Sequence, residues 1–428
     1  MSSTLYRMTI MIILLGLTGC SVIPMAVAGP GLVQSKTARI TQGSVPAADT
    51  TALVAGNSQF AFNLYQALKD NPGNLFYSPY SITQALAMTY AGANGKTQQQ
   101  MAAALQFTLP QGDRLNAALN ALDLGLTATG KSQDAHTAFT LAMANALWGQ
   151  SGYAFQPDFL DVLSQYYGAG MHTLDFAKDQ EAARQAINQW VSQQTNQRIQ
   201  DLIARGVITP DTRMVLTNAI YFKASWQNEF NKSQTADGPF ILGRDATVQV
   251  PMMHEMAFYG YVKENGVTVV ELPYSNADFS MVIVMPDPDT LQSFEQSLDA
   301  NKMAALINDL KQEEVDLTMP KFTFDDSFGL AKTLQGLGMT DAFTPGVADF
   351  SKIDGGKGKL FIQDVVHKAF IAVDEQGTEA AAATGVVVGT SAMPVETAKV
   401  VIDHPFLFLI RDQQSGTILF VGRVVNPK

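Results

Sequence analysis

Residue types able to make or break covalent bonds are sparse in this chain and badly spaced for the task. Its 428 residues include five histidines, at 136, 172, 254, 367 and 404, and one cysteine, Cys20. No His-x-x-x-His or His-Glu-x-x-His pair occurs, so no helical face carries two metal ligands. Serines are plentiful, but no Gly-x-Ser-x-Gly elbow presents one as a nucleophile. Lys352, Lys357 and Lys359 surround Gly355-Gly356 without the Gly-Lys-Ser/Thr ending of a phosphate loop, which reads as a solvated turn. Neither a metal, a cofactor nor a catalytic relay is indicated, and the chain is not expected to be an enzyme.

One segment is suited to being acted upon. Residues 375–388 read Glu-Gln-Gly-Thr-Glu-Ala-Ala-Ala-Ala-Thr-Gly-Val-Val-Val. Gly377 opens backbone angles closed to other residues. The four alanines carry almost no side-chain entropy into a new environment, and the three valines favour a strand. As a strand, alternation puts Thr378, Ala380, Ala382, Thr384, Val386 and Val388 on one uncharged face and Glu379, Ala381 and Ala383 on the other. No proline between 375 and 393 would interrupt a ladder. The same composition also suits a surface helix or a linker, since Glu-Ala-Ala-Ala-Ala is good helix sequence.

The elements that must hold this segment follow from periodicity. Leu53, Phe60, Leu64 and Leu68 give residues 53–70 a helical face. Ser81–Ala91 reads as a helix capped by Ser81, with further helices over 97–106, 113–126 and Gln180–Ile203. Thr137–Trp148 reads as a strand. Strands dominate after residue 213: Met214–Phe222, Val248–Tyr261, Thr268–Leu272, Phe279–Met285, Glu314–Lys321, Lys359–Asp374, Ala398–Val401, Phe406–Asp412 and Ile418–Val424. Leu291–Leu310 and Phe328–Leu337 interrupt them as helices. Helices first and strands later, without β-α-β alternation, give the α+β class. Length alone favours two or three domains. No low-complexity linker divides residues 53–428, so a single large domain is expected, with 46% hydrophobic residues to fill its core. A net charge of −11 disfavours nucleic acid and other polyanions as partners.

Read in order, a series of blocks resembles the serpin (serine protease inhibitor) family over nearly the whole domain. They are Asn74-Leu-Phe-Tyr-Ser78-Pro79-Tyr-Ser81-Ile82, Thr217-Asn218-Ala-Ile-Tyr-Phe222-Lys223-Ala-Ser-Trp226, Glu271-Leu-Pro273-Tyr274, Met319-Pro320-Lys321-Phe322, His367-Lys368-Ala369, Asp403-His404-Pro405-Phe406 and Phe420-Val-Gly422-Arg. The resemblance implies three β-sheets, about nine helices and an exposed reactive-centre loop at about residues 375–398. It makes Glu375, Gly377, Thr378, Glu379, Ala380, Ala381, Ala382, Ala383 and Thr384 the hinge of that loop. A serine-type endopeptidase, or a cysteine protease, would cut the loop and form its acyl-enzyme. The hinge would then insert into the main sheet and trap the enzyme. The implied bond is Ser391–Ala392, with Thr390–Ser391 and Ala392–Met393 as alternatives. These small side chains suit an elastase-like or subtilisin-like pocket. Ser78, Ser81, Asn218 and His367 match the buried cluster called the shutter, and Trp226 matches the breach tryptophan where the loop first enters. The residues alone suggest only a helix cap, a core amide, a core imidazole and ordinary packing. Thr378 is expected to be exposed until cleavage, so that Thr378→Arg would leave folding intact. The stretch matched to the family's fourth helix, about 95–107, has only Lys96 as a base, so no heparin activation is expected. A monomer is expected. The competing readings are a non-inhibitory serpin, carrier or chaperone-like, and an envelope hydrolase or solute-binding lipoprotein, for which no motif is found.

Residues 1–19 carry Arg7 and an apolar run from Met8 to Leu17 that is too short for a permanent span. The following Leu17-Thr18-Gly19-Cys20 resembles a bacterial lipobox. That implies cleavage before Cys20, acylation of its thiol and new amine, and anchoring at the bacterial cell envelope. Ser21 would direct it to the outer membrane. Cleavage after Ala26-Val27-Ala28 would instead release the protein to the extracellular space. Residues 20–52 read as a flexible tether, with a strand over Leu32–Ile40 as the alternative.

Overall fold

The computed structural model describes residues 31–129, 139–244, 246–275, 278–378 and 397–428. Cys20, His136, the hinge positions Glu379 to Thr384 and the bond positions Thr390, Ser391, Ala392 and Met393 lie outside the described residues.

The first half is mostly helical. After β1 (Gly31–Val33) come α1 (Ala47–Leu68), β2 (Leu75–Tyr77), α2 (Pro79–Ala91), α3 (Gly95–Ala104) and α4 (Asp113–Thr129). β3 (Phe139–Gln150), α5 (Pro157–Val162), β4 (Met171–Leu174) and α6 (Gln180–Gln194) follow. Strands then take over: β5 (Met214–Ser225), β6 (Ala236–Gly243), β7 (Ala246–Glu264), β8 (Val267–Pro273) and β9 (Phe279–Pro286). α7 (Leu291–Gln296) and α8 (Ala300–Asn308) precede β10 (Lys311–Pro320) and β11 (Phe322–Gly329). After α9 (Ala331–Gly336) and α10 (Ser351–Asp354) the chain ends in β12 (Val365–Asp374), β13 (Gly377–Thr378), β14 (Ala398–Val401), β15 (Phe406–Asp412) and β16 (Ile418–Val424).

These strands make a seven-stranded sheet, ordered β1-β4-β3-β5-β13-β12-β11, and a nine-stranded ladder. The three expected sheets are present as a seven-stranded sheet plus two that share β7. This 19-residue strand pairs with β6 over Ala246–Met252, with β10 over Met252–Tyr261 and with β8 over Gly260–Glu264. Strands β9 and β16 are buried at every residue, which explains their unbroken apolar sequence. Phe76, Phe408 and Phe420 stack between the two sheets, with ring centroids 5.0 and 5.7 Å from Phe76. Gly422 is required there, because a Cβ would meet the Phe408 ring at 2.1 Å. Under the seven-stranded sheet lies α2, buried from Pro79 to Tyr90.

Several expectations need correction. Ser78, not Ser81, caps α2: its Oγ accepts from the Ser81 N–H at 3.1 Å, and Pro79 takes the first helical position. The helix expected over Gln180–Ile203 stops at Gln194, because Asn196 and Gln197 adopt φ of 50° and 62°. Ile199 and Ile203 nevertheless stay buried. Leu291–Leu310 splits where Asp299 caps α8 by accepting from the Lys302 N–H. Phe322–Gly329 is a strand, so α9 begins only at Ala331. Lys359–Asp374 becomes extended at Val365. The fourth helix is Asp113–Thr129, and its one base, Arg114, is bound to Asp49 at 2.6 Å.

The tether reading also fails from residue 31 onward. β1 adds an edge strand to β4, the Ile40 N–H donates to the Gln165 carbonyl, and Arg39 reaches Asn120 at 2.9 Å and Asp123 at 2.6 Å on α4. Backbone pairing and a partly buried ion pair hold this stretch where composition alone suggested coil.

Candidate functional site: the seam between two strands and the residues at its top

Strand β5 is antiparallel to β3 on one side. On the other side Leu216–Tyr221 pair directly, in parallel, with Val365–Phe370 of β12. Beyond that stretch the two strands part, and Gly377–Thr378 stand between them. Thr378 is paired with Ala224 on one wall and Val373 on the other. Gly377 has φ of +155°, and a Cβ on it would meet the Ala224 carbonyl at 2.1 Å, so only glycine fits.

One row of the sheet below is polar. Asn145 of β3, Asn218 of β5 and His367 of β12 are register neighbours, all facing the start of α2. Asn218 Nδ2 donates to Ser81 Oγ at 2.6 Å and to Asn145 Oδ1, while its Oδ1 meets His367 Nδ1. His367 Nε2 accepts the Ser78 N–H at 3.2 Å, so Nδ1 carries the ring proton. Ser78 Oγ donates to the Leu419 carbonyl at 2.6 Å. Ser78, Ser81, Asn218 and His367 are wholly buried, and burial pushes the His367 imidazole down to about 3. The four predicted residues therefore meet in one network. It offers no nucleophile: His367 faces a backbone N–H and an amide, and Ser78 Oγ is spent on a carbonyl. Asn145 was missed in the sequence. Its one signal is an amide between Ala144 and Ala146 in a strand. Among the described residues no cluster of potential metal ligands occurs.

At the top of the seam Trp226 stacks on Tyr274, centroids 4.7 Å apart and rings within 7° of parallel. Trp226 Nε1 donates to the Asp374 carbonyl at 3.0 Å and its backbone N–H to the Gln376 carbonyl at 2.9 Å. Glu375 is buried, with Lys321 Nζ at 2.7 Å and Thr235 Oγ1 at 2.9 Å. Burial alone would raise its carboxyl, but Lys321 and Thr235 hold it below the ordinary value. The expectation for Thr378 is overturned. Its side chain is 1% exposed, and its hydroxyl lies 2.7 Å from the Tyr274 hydroxyl in the uncut chain.

Two outcomes follow from this geometry. Thr378→Arg would bury a charge against Tyr274 with no partner, or expel β13 from the sheet; either way it lowers the melting temperature of the uncut protein. An unchanged melting temperature would contradict the buried position. For His367 the unfolded chain binds a proton near pH 6.5 and the folded chain only near 3. Stability is complete above 6.5 and falls as pH drops toward 3, by at most about 1.4 kcal/mol per pH unit. The difference in unfolding free energy between wild type and His367→Gln, measured from pH 7 to 4, should shrink steadily. A flat difference would mean the imidazole takes up its proton in the fold.

Comparison with known proteins agrees with this architecture. The family model described as serpin (serine protease inhibitor) matches residues 55–427. An uncharacterized serpin-like protein of Thermococcus kodakarensis is 40% identical over 87% of this chain and 85% of its own. The leukocyte elastase inhibitor of Bos taurus is also 40% identical, over 88% of this chain and 99% of its own. Among solved structures, the thermophilic serpin tengpin in its native state superposes with a TM-score of 0.82 at 29% identity, covering 93% of this chain and all of that one. With the matched model spanning most of its length and its seven-stranded sheet holding a hinge at the top, the chain belongs to the serpin family.

Proposed function

We propose that this protein inhibits serine-type endopeptidases as a suicide substrate, by inserting its cut loop into the seam between β5 and β12. The observation that carries this reading is the position of Gly377–Thr378, already a strand between those walls. Insertion breaks one parallel ladder and makes two antiparallel ones, the better-paired arrangement. About 14 residues at about 3.3 Å each would carry an acylated protease about 46 Å along the sheet. The bovine relative, by its name an elastase inhibitor, supports a target that prefers small residues near Ser391–Ala392. The acidic α4 supports an inhibitor that works without heparin. Cys20 anchors the protein to the cell envelope in this reading. A carrier or chaperone-like serpin, cut without trapping, is the alternative.

The two registers around Thr378 make the proposal specific. Each further residue of an entering strand moves one position back along both walls. Six residues on from Thr378 is Thr384. Six back from Ala224 is Asn218, and six back from Val373 is His367. Thr384 would thus arrive between Asn218 and His367, whose mutual contact the insertion breaks. Its hydroxyl can both donate and accept, so it re-pairs groups that would cost about 1–3 kcal/mol each if left alone.

Incubation with pancreatic elastase and subtilisin should give an SDS-stable covalent complex. Thr384→Val should leave the melting temperature of the uncut protein unchanged, yet raise the moles of inhibitor consumed per mole of protease trapped. It should also reduce the gain in thermal stability on loop cleavage. A variant matching wild type in both would sink the registration. Loop cleavage with no complex at all would favour the carrier reading.

For the anchor, Cys20→Ala should abolish lipid attachment and move the protein from the membrane to the soluble fraction. Intact-mass analysis of wild type without an acyl increment, together with unchanged fractionation of the variant, would refute lipidation.

A further inference from the structure

We infer that the outer face of the sheet formed by β7, β10 and β14 is a second docking surface for the target protease, centred on Met256 and Phe258. This rests on the inhibitory reading above and extends it from the loop to the body of the partner. Along β7 alternation should leave only one apolar face. The inner side is filled as expected, by Met253 and Tyr259 at 0 and 1% exposure. Yet Met256 and Phe258, two residues apart and therefore on the outer face, are 51 and 58% exposed. Leu32 and Val33 also stand exposed, but as consecutive residues of β1 they point to opposite sides. Phe258 and Met256 form a contiguous knob.

The position of the knob identifies its occupant. Glu314 lies opposite Phe258 on β10, and Asp316 lies opposite Met256. The Thr397 hydroxyl donates to Glu314 Oε2 at 2.7 Å, and Lys399 of β14 is the register neighbour of Asp316. Thr397 begins the described chain after the reactive bond. From Ser391 to Thr397 the extended chain spans at most about 20 Å. Two strand spacings, about 10 Å, separate Thr397 from Phe258. A protease domain is roughly 40 Å across, so one seated on Ser391–Ala392 is wide enough to reach this face. Its contact there would be apolar at the centre, with a rim that accommodates the Glu314 and Asp316 carboxylates. Asp316 is held by His254 Nε2 at 2.6 Å and so presents a fixed acceptor edge.

The test measures docking separately from trapping. Active-site Ser→Ala variants of pancreatic elastase and subtilisin bind without acylation. The Kd of each is determined for wild type and for the double variant Met256→Thr/Phe258→Thr, which keeps strand-forming residues on β7. For the favoured protease Kd should rise at least about tenfold, a loss of about 1.4 kcal/mol. The melting temperature and the stoichiometry of inhibition by active enzyme should stay at wild-type values. Kd values within twofold of wild type for both proteases would overturn the inference. So would a concentration-dependent dimer of wild type that the double variant abolishes, since the face would then join two copies of this chain. If wild type is cut without trapping while the double variant still loses affinity, the docking surface stands and the trapping mechanism falls.

Discussion

Along six residues β5 and β12 hydrogen-bond directly as a parallel pair, inside a sheet whose other pairings around them are largely antiparallel. At the Trp226 end the same two strands are held apart by two residues of hinge. This seam constrains everything near it. The backbone groups that face each other across it are satisfied in the closed form, and a strand entering from the top can satisfy them again. A partly entered strand such as β13 pairs with the wall residues it reaches, while the parallel ladder satisfies those below it. The nine-stranded ladder does not share this ambiguity: β9 and β16 are enclosed on both faces, and the Phe76, Phe408 and Phe420 rings lock β15 and β16 against β2. It supplies the fixed floor over which the seam can open.

A polar row at such a seam is a device with a defined cost. Replacing Asn145, Asn218 and His367 by apolar residues would remove their mutual contacts at little net cost, but would take these partners from the buried Ser78 N–H and Ser81 hydroxyl, at about 1–3 kcal/mol each. An apolar row would also hold equally well in several registers, since packing alone does not dictate partners. Amides and an imidazole demand specific ones. The closed seam satisfies them through Ser78 and Ser81 at the start of α2, so the helix under the sheet senses whether the row is intact. The neutral His367 matters here, because only the uncharged ring can accept the Ser78 N–H while donating to Asn218.

Much of this was legible in the sequence, for identifiable reasons. Strands buried on both faces announce themselves as apolar runs, and Phe406–Asp412 and Ile418–Val424 appear with the expected bounds. Ser78, Ser81, Asn218, His367 and Trp226 were recognisable as a set only because the surrounding blocks resemble one family. Nothing in their spacing says that they meet. Asn145 escaped notice because a single amide between alanines carries no pattern. β11 was hidden because half of it faces solvent, and its Phe-x-Phe alternation continues into helix-like sequence. β13 was not legible at all. Two residues, one of them glycine, have no strand periodicity, and their extended form is imposed by the walls that receive them.

The hinge also removes the hardest step from the insertion it is proposed to begin. A new strand pair normally requires a loop to close first, and that entropy is lost before any ladder bond compensates. Here β12 and β13 already form a hairpin across the two residues Glu375-Gln376, with Asp374 opposite Gly377 and Val373 opposite Thr378. The turn is fixed from outside. Lys321 and Thr235 bind the Glu375 carboxylate, Asp374 Oδ1 accepts the Gln376 N–H, and Trp226 and Phe230 donate to the Gln376 and Glu375 carbonyls. Lengthening β13 therefore adds one residue at a time to an existing hairpin and to β5 together. The remaining resistance is the parallel ladder below and the contact between Asn218 and His367, the next polar obstacle on the path. In this arrangement the rate of insertion depends on unzipping a short parallel pair, while its direction is set by a turn that was in place before any protease arrived.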